Sequence, residues 1–573
     1  MSRPSRLIHY RLDLQETAAS TGYFAAVPQD VPTVEEALAY LCRHANDSFM
    51  HAHLLARIGQ MDPGAVFALL ASEAGREPAV RALVLEAATL YQHLSTLKET
   101  FTGHQAQMLT DWTPLVLLRS ELLADQVTHR QWAELFHANI TRHRPLPPPA
   151  ATGLPFPFDG MDGSDEPLPA EAHLKAIIDR HLPDMAGSGK PRIPLAATIA
   201  QAMARLGSLE IFDGTEMRHQ SSLSLYALLR KWRFNHQVKS GQLNYTLSGI
   251  QTSYGRGLTL EAARASCLME VAERCSAFAG VAETGIVGTR RPHPVIHGRF
   301  SQLTADGYPL LNPNDLNLEA PYRDEPLYWM EGARVTMSGT EPIWVPVQCV
   351  FLFCNLDERS LFSGLGSTGL ASGNTGTEAR LSALYEVLER DCEAVNPYHP
   401  SRCFRIHAQD ARLNALFNDY RARGIQVYFQ DISPLFGIPC CTCFVTHQGG
   451  TVAKGGGANL DGKRAVLSAL TETPYPYPVG PPSAPAPPEL PWLQFETLPD
   501  FSTGEPDRDL MLVEKTLTAN GFAPIYVDIT RKDLAIPVVK ALIPGFEMMA
   551  DFDQYCRASP RLFNNYLKSY KKT

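Results

Sequence analysis

The sequence lacks the marks of a membrane protein, a disulfide scaffold and a nucleic-acid binder. No apolar run approaches the ~20 residues that a bilayer crossing needs. The start, MSRPSRLIHYRLDLQE, has basic residues but not the continuous apolar core of a secretory signal. The eleven cysteines are scattered, odd in number and without framework spacing, which suits a reducing compartment. Cys440-Cys441-x-Cys443 has no second cysteine pair or histidine cluster to complete a zinc site, so a buried strand is expected there. A net charge of -9 and a pI near 6.1 argue against a broad basic field for nucleic acid. Gly187-Ser188-Gly189-Lys190 is not a phosphate loop, because it has no preceding strand, no first glycine at the required distance and no Ser/Thr after the lysine. The expectation is a cytoplasmic protein with neither membrane nor nucleic-acid partner.

What is present is a chain of 573 residues, 45% of them hydrophobic, long enough for more than one domain at ~150 residues each. Residues 1–145 read as helical by periodicity. Thr33 and Glu36 form a capping box, Asp62-Pro63 and Glu77-Pro78 open further helices, and an Ala/Leu-rich run over 79–94 is expected to be buried. A docking or dimerisation role is expected for this region. Residues 146–210 are a Pro/Gly-rich linker with a short helix near 172–181. From about 211 to 573 strands and helices alternate, with strands expected at 343–354, 427–432, 439–445, 524–529 and 536–543, and with a Pro-rich insertion at 474–494.

Two stretches of this last region copy each other. GLTLEAARASCLMEVAER (257–274) and GNTGTEARLSALYEVLER (373–390) agree, without a gap, at ten of eighteen positions. On a helix, positions i, i+4 and i+7 share a face, so Ser266, Glu270 and Glu273 project together, with Arg274 one turn after Glu270. Ser382, Glu386, Glu389 and Arg390 repeat the set. One copy alone is most simply a salt-bridged surface helix. Retention of the same residue types in both copies favours a shared task. Four carboxylates with two arginines suit a hard cation, Mg²⁺, held by Glu270, Glu273, Glu386 and Glu389, and with it a nucleoside triphosphate approached by Gly-containing turns. Asn374 and Glu378 are further candidates, although Thr375-Gly-Thr-Glu378 also reads as a capping box. A second echo pairs Asp431-Ile-Ser … Gly437-Ile-Pro with Asp528-Ile-Thr … Ala535-Ile-Pro. A third helix ends at Glu472 after Gly455-Gly-Gly457-Ala458.

At these residues the chain resembles the YcaO family of ATP-dependent enzymes that activate peptide backbone amides. The likeness spans roughly 211–545. It rests on Ser266-x-x-x-Glu270-x-x-Glu273-Arg274, on Ala371-Ser-Gly373-Asn374 leading to Glu378 and Glu386-x-x-Glu389-Arg390, on Gly457-Ala458 leading to Glu472, and on Asp528-Ile-Thr530 … Pro544-Gly545. The resemblance implies an α+β fold with a quasi-twofold internal repeat, here preceded by an all-α helical region. It implies that the carboxylates hold Mg²⁺ around ATP. It also implies phosphoryl transfer to the oxygen of an attacked peptide amide, which then yields an azoline, a thioamide or an amidine. The family's third motif carries an Arg four residues before its Glu and a Gln three after it, where this chain has Ser468 and Tyr475. Lys463 or Arg464 is the nearest substitute charge. Azoline-forming members end in a Pro-rich tail, whereas this sequence ends Lys568-Ser-Tyr-Lys-Lys-Thr573, so a thioamide-type role or an accessory role in ribosomal-protein methylthiolation is expected instead. The alternative is a nucleotide-binding accessory or scaffold protein without turnover. Expected partners are a peptide or protein substrate, a sulfur-delivery or recognition protein, and a second copy in a homodimer.

Overall fold

A computed structural model describes residues 7–15, 23–164, 168–182, 192–548 and 556–571; Gly187 to Lys190 and the last two residues of the C-terminal sequence lie outside these. The architecture is α+β. Helices begin where caps and apolar spacing coincide: the Thr33/Glu36 capping box closes in both directions, and Asp62 caps a helix with Pro63 at its first turn. Pro78–Leu90 is the buried centre of the helical region.

That region is preceded by two strands, Ile8–Gln15 and Tyr23–Pro28, which pair antiparallel. Their signal is period two rather than 3.6: Tyr10 and Leu12 point inward while Arg11 faces solvent. Ile8–Gln15 then lies parallel to Leu243–Gly257, so the beginning of the chain is built into the sheet of a much later segment. The proline-rich stretch after residue 145 is also anchored. Trp132 donates to the carbonyl of Pro155 at 2.8 Å, and Phe156 and Phe158 pack on the C-terminal helix Pro560–Lys571.

Three sheets carry the rest. The first places the long hairpin Tyr226–Ser240 and Leu243–Gly257 at its centre. The second runs Gly339–Pro346, Leu327–Thr336, Ile525–Asp528, Val538–Leu542, Leu370–Ser372. The third runs Val452–Ala458, Cys440–Thr446, Tyr428–Asp431, Cys403–His407, Trp492–Gln494. The apolar run expected as one strand over 343–354 becomes strand only to Pro346, because that proline ends the ladder and a short 3₁₀ turn follows. The cysteine run is a buried strand, and all eleven cysteines are free thiols.

The second echo is structural. Asp431 accepts from the Ser433 amide at 2.9 Å and the Ser433 hydroxyl accepts from the Cys440 amide at 3.0 Å. Asp528 and Thr530 make the same two bonds, to the Thr530 and Val538 amides, at 3.0 and 3.1 Å. Two corresponding hairpins therefore sit in different sheets. The Pro-rich insertion after Glu472 is irregular but packed: Tyr475 and Tyr477 are buried, and Ala484 and Ala486 donate to Thr446 and Gln426.

Candidate active site

Three helices deliver the candidate residues, and each springs from a glycine at the end of a strand. Leu260–Ala277 follows Leu243–Gly257 and is capped by Thr259. Gly376–Val395 follows Leu370–Ser372 and is capped by Thr375. Gly462–Glu472 follows Val452–Ala458 and is capped by Asp461. The glycines serve close packing between strand and helix: a Cβ at Gly373 would lie 2.4 Å from the Ala379 amide, and one at Gly457 2.1 Å from the Ala465 carbonyl oxygen.

Each helix also reaches the next sheet. The first touches Leu370–Ser372, the second Val452–Ala458 and the third Leu243–Gly257, so the three walls close on one another in a ring. At every junction, the residue just before the strand-end glycine meets the last wall glutamate of the preceding helix. The Ser372 backbone favours the charged form of Glu273, Gly456 lies against Glu389, and Arg256 stands 4.0 Å from Glu472. Ser372 further clips the first two walls together by donating to the Met269 carbonyl at 2.8 Å.

The expected carboxylates and arginines do gather. Arg274 is 3.8 Å from Glu270 and 3.6 Å from Glu273; Arg390 is 3.5 Å from Glu389 and 3.2 Å from Glu393. Burial pushes the Glu270, Glu273 and Glu389 carboxyls above their ordinary range against the pull of these arginines. Glu386 is pushed up to about 7, by burial first, with Arg390, Arg274 and Lys540 opposing and Glu472 adding to the rise. The fully buried Lys540 donates to the Thr368 carbonyl at 2.7 Å, and burial lowers its ammonium to about 8 against the favourable pull of Glu386.

Other expected residues do less. Ser266 and Ser382 are exposed. Glu378 accepts from the Asn374 amide at 2.9 Å while its own amide is capped by Thr375, so its carboxylate shapes the turn. Lys463 and Arg464 pair with Asp500 and Asp461, at 3.3 and 3.7 Å, away from Glu472. Tyr475 is wholly buried and donates to the Pro481 carbonyl at 2.9 Å. Periodicity did not reveal Arg256, Glu393 and Lys540. The available signal was a charged residue inside an otherwise apolar strand (Ile536-Pro-Val-Val-Lys540) and next to a strand-end glycine (Arg256-Gly257).

The family model described as YcaO cyclodehydratase, ATP- and Mg²⁺-binding, matches residues 254–474 and 477–547, just over half of the sequence. The chain belongs to the YcaO family. ATP and Mg²⁺ are the cofactors of YcaO proteins. An uncharacterized protein of Methanothermobacter thermautotrophicus is 27% identical over 332 residues, covering 52% of this chain and 82% of that protein. An uncharacterized protein in the tfuA 3' region of Rhizobium leguminosarum bv. trifolii is 27% identical over 246 residues, covering 40% and 54%. Among solved structures, a heterocyclase in complex with substrate and cofactor aligns at TM-score 0.48 and 17% identity, covering 64% of this chain and 54% of that one. The YcaO protein of Methanopyrus kandleri bound with AMPPCP and Mg²⁺ aligns at 0.45 and 23%, covering 62% and 91%. The chain thus spans about half the length of the heterocyclase and of the Rhizobium relative.

The ring suits the YcaO cofactors chemically. Six carboxylates (Glu270, Glu273, Glu386, Glu389, Glu393 and Glu472) face four cations (Arg256, Arg274, Arg390 and Lys540), an anionic excess of hard oxygen donors. Among the described residues, no three His, Cys, Asp or Glu side chains stand close enough to enclose an ion unaided. That spacing accords with Mg²⁺, which is usually held by one or two carboxylates together with phosphate oxygens and water.

Proposed function

We propose that this YcaO protein activates a backbone amide of a peptide or protein by O-phosphorylation within the three-walled ring. The observation that carries the reading is the approach of Glu270/Glu273, Glu386/Glu389 and Glu472, from three helices, close enough to act on one another's charge, with Arg256, Arg274 and Arg390 beside them. Mg²⁺-bound ATP supplies the transferable phosphoryl group. Glu270, Glu273, Glu386 and Glu389 are the proposed metal-side ligands, with Ser266, Asn374, Glu378 and Glu472 bordering the nucleotide. The arginines bind phosphate oxygens and stabilise the charge that builds there during transfer.

A nucleophile adds to the amide carbon, and the resulting oxyanion takes the γ-phosphoryl group with release of ADP. Loss of phosphate, together with a proton, then leaves the exchanged C=S or C=N product. The proposed outcome is a thioamide or an azoline, or service to a ribosomal-protein methylthiolation reaction. The proposed partners are a sulfur-delivery or recognition protein and a second copy of the chain. The test is calorimetric titration with AMPPCP and Mg²⁺, then measurement of ADP release with ATP. Absence of nucleotide binding by the wild type, or unchanged binding in Glu270→Gln and Glu386→Gln, overturns the reading.

A second reading, a nucleotide-binding accessory protein without turnover that recruits a partner through its helical region, is supported by the third wall. Ser468 leaves that helix without an arginine near Glu472, and Tyr475 is committed to the core. Partner capture that needs ATP but releases no ADP would select it.

A further inference from the structure

The three junctions of the ring are not equivalent. At the first, Glu273 is favoured in its charged form by the strand backbone at Ser372, and at the third Glu472 faces a strand arginine, Arg256. At the second the corresponding residue is Gly456, which brings no side chain, and there is no space for one. A Cβ at Gly456 would lie 2.7 Å from Glu389 Cγ and 2.8 Å from Glu393 Oε1. The nearby cation for Glu389 comes from its own helix, Arg390, at 3.5 Å.

The internal repeat breaks at the same place. Arg274 leans back along the first helix and divides itself between Glu270 and Glu273. The matching arginine, Arg390, instead pairs with Glu389 and, one turn further on, with Glu393 at 3.2 Å. The first helix has Ala277 at the position that Glu393 occupies on the second. Glu393 is 3% exposed, so its orientation is set by packing. It lines a cavity of about 20 Å³ with Asn396, Gln430, Thr442 and Lys454, large enough for one water.

We infer that Glu393 is a positioning residue: it draws Arg390 forward along the helix, away from Glu386, and fixes the guanidinium beside Glu389 at the second junction. Two consequences follow. Glu386 feels the charge of Arg390 but forms no close ion pair with it, which leaves its oxygens open to a metal ion, and Arg390 offers a fixed donor edge to a phosphate. Without Glu393, Arg390 has the option that Arg274 takes, the carboxylate four residues back.

The inference rests on the ring being a Mg²⁺–ATP site, and one titration series separates the two. Full-length wild type, Glu393→Gln, Arg390→Lys and the double variant are titrated with AMPPCP and with AMP in the presence of Mg²⁺. The expected result is that Glu393→Gln weakens AMPPCP about tenfold or more, as for one misplaced charge-assisted phosphate contact. AMP binding should change less than twofold, and the loss should nearly vanish on the Arg390→Lys background. Glu393→Asp, with the carboxylate withdrawn by one methylene, should fall between wild type and Glu393→Gln. Equal losses for AMPPCP and AMP, or the same loss with Lys at 390, would show a merely structural role and overturn the inference. Failure of the wild type to bind AMPPCP instead overturns the nucleotide reading itself.

Discussion

Gly456→Ala tests how tightly the third sheet is pressed into the second wall. The added Cβ meets Glu389 Cγ at 2.7 Å, Glu393 Oε1 at 2.8 Å and Glu389 Cδ at 2.9 Å. Relief to ordinary van der Waals contact needs movements of about half an ångström or more in side chains that are themselves packed. Overpacking of this kind costs ~1–3 kcal/mol. The loss of unfolded-chain freedom on replacing glycine returns ~0.4–1 kcal/mol, so a net destabilisation of about 1–2 kcal/mol is expected. The atoms that must yield belong to the proposed nucleotide site, so affinity should fall with stability. Chemical denaturation and AMPPCP titration on the same preparation read both. Gly449→Ala is the control, since no atom lies within 4 Å of its Cβ. Unchanged affinity in Gly456→Ala, whatever its stability, would refute the view that this strand sets the positions of Glu389 and Glu393.

Further expectations concern charge. Glu386, raised to about 7 by burial, holds a proton in part of the unliganded protein near neutrality, so a ligand that needs its carboxylate must expel that proton. Calorimetry of Mg²⁺–AMPPCP binding in buffers of different ionisation enthalpy should show proton release near pH 6.5 that shrinks above pH 8; no release at pH 6.5 counts against Glu386. Burial likewise raises Glu358 to about 8 and Glu547 to about 7. Groups that bind protons more tightly when folded give stability that is full below the unfolded value and is lost as pH rises toward the folded one. The unliganded protein should therefore lose stability between about pH 5 and 8, and a stability that rises over that window would contradict these burials. Arg561→Met should cost ~3–5 kcal/mol by leaving Asp391, 1% exposed, without its partner at 2.8 Å. Asp391→Asn in the same background should recover part of that loss in a double-mutant cycle. Tyr475→Gln, which installs the residue expected of the third motif, should destabilise by about 3 kcal/mol without improving nucleotide binding, because the ring it removes is wholly buried.

The two carboxylate helices were legible because their content is local: caps, spacing and an internal copy all sit within eighteen residues. The hairpin echo was legible for the same reason, since Asp431/Ser433 and Asp528/Thr530 act on their own turns. What stayed hidden depends on distant pairing. Ile8–Gln15 is recognisable as a strand only by a faint alternation, and the parallel neighbour that builds it into the main sheet begins more than two hundred residues later. Arg256 acquires its role from Glu472, and Lys540 from Glu386, each on a helix far away in the sequence. The Pro-rich insertion was legible from composition, but its packing was not: Tyr475 and Tyr477 share a core with Phe404, Phe429 and Cys443 of the third sheet.

The strand arrangement also fixes when the site can exist during synthesis. Lys540, which underlies the second wall, binds the carbonyl of Thr368 across a separation of 172 residues. The strand that roots that wall, Leu370–Ser372, pairs with Val538–Leu542, and Leu327–Thr336 waits for Ile525–Asp528. Contacts this far apart in sequence form late and slowly. Both carboxylate helices leave the ribosome long before the strands that seat the second one, so most of the growing chain carries the proposed ligand groups without the site they would form. Acquisition of nucleotide affinity is then a readout of completed folding. A nascent chain stalled before residue 525 should emerge with its glutamates present and its affinity for Mg²⁺–AMPPCP absent.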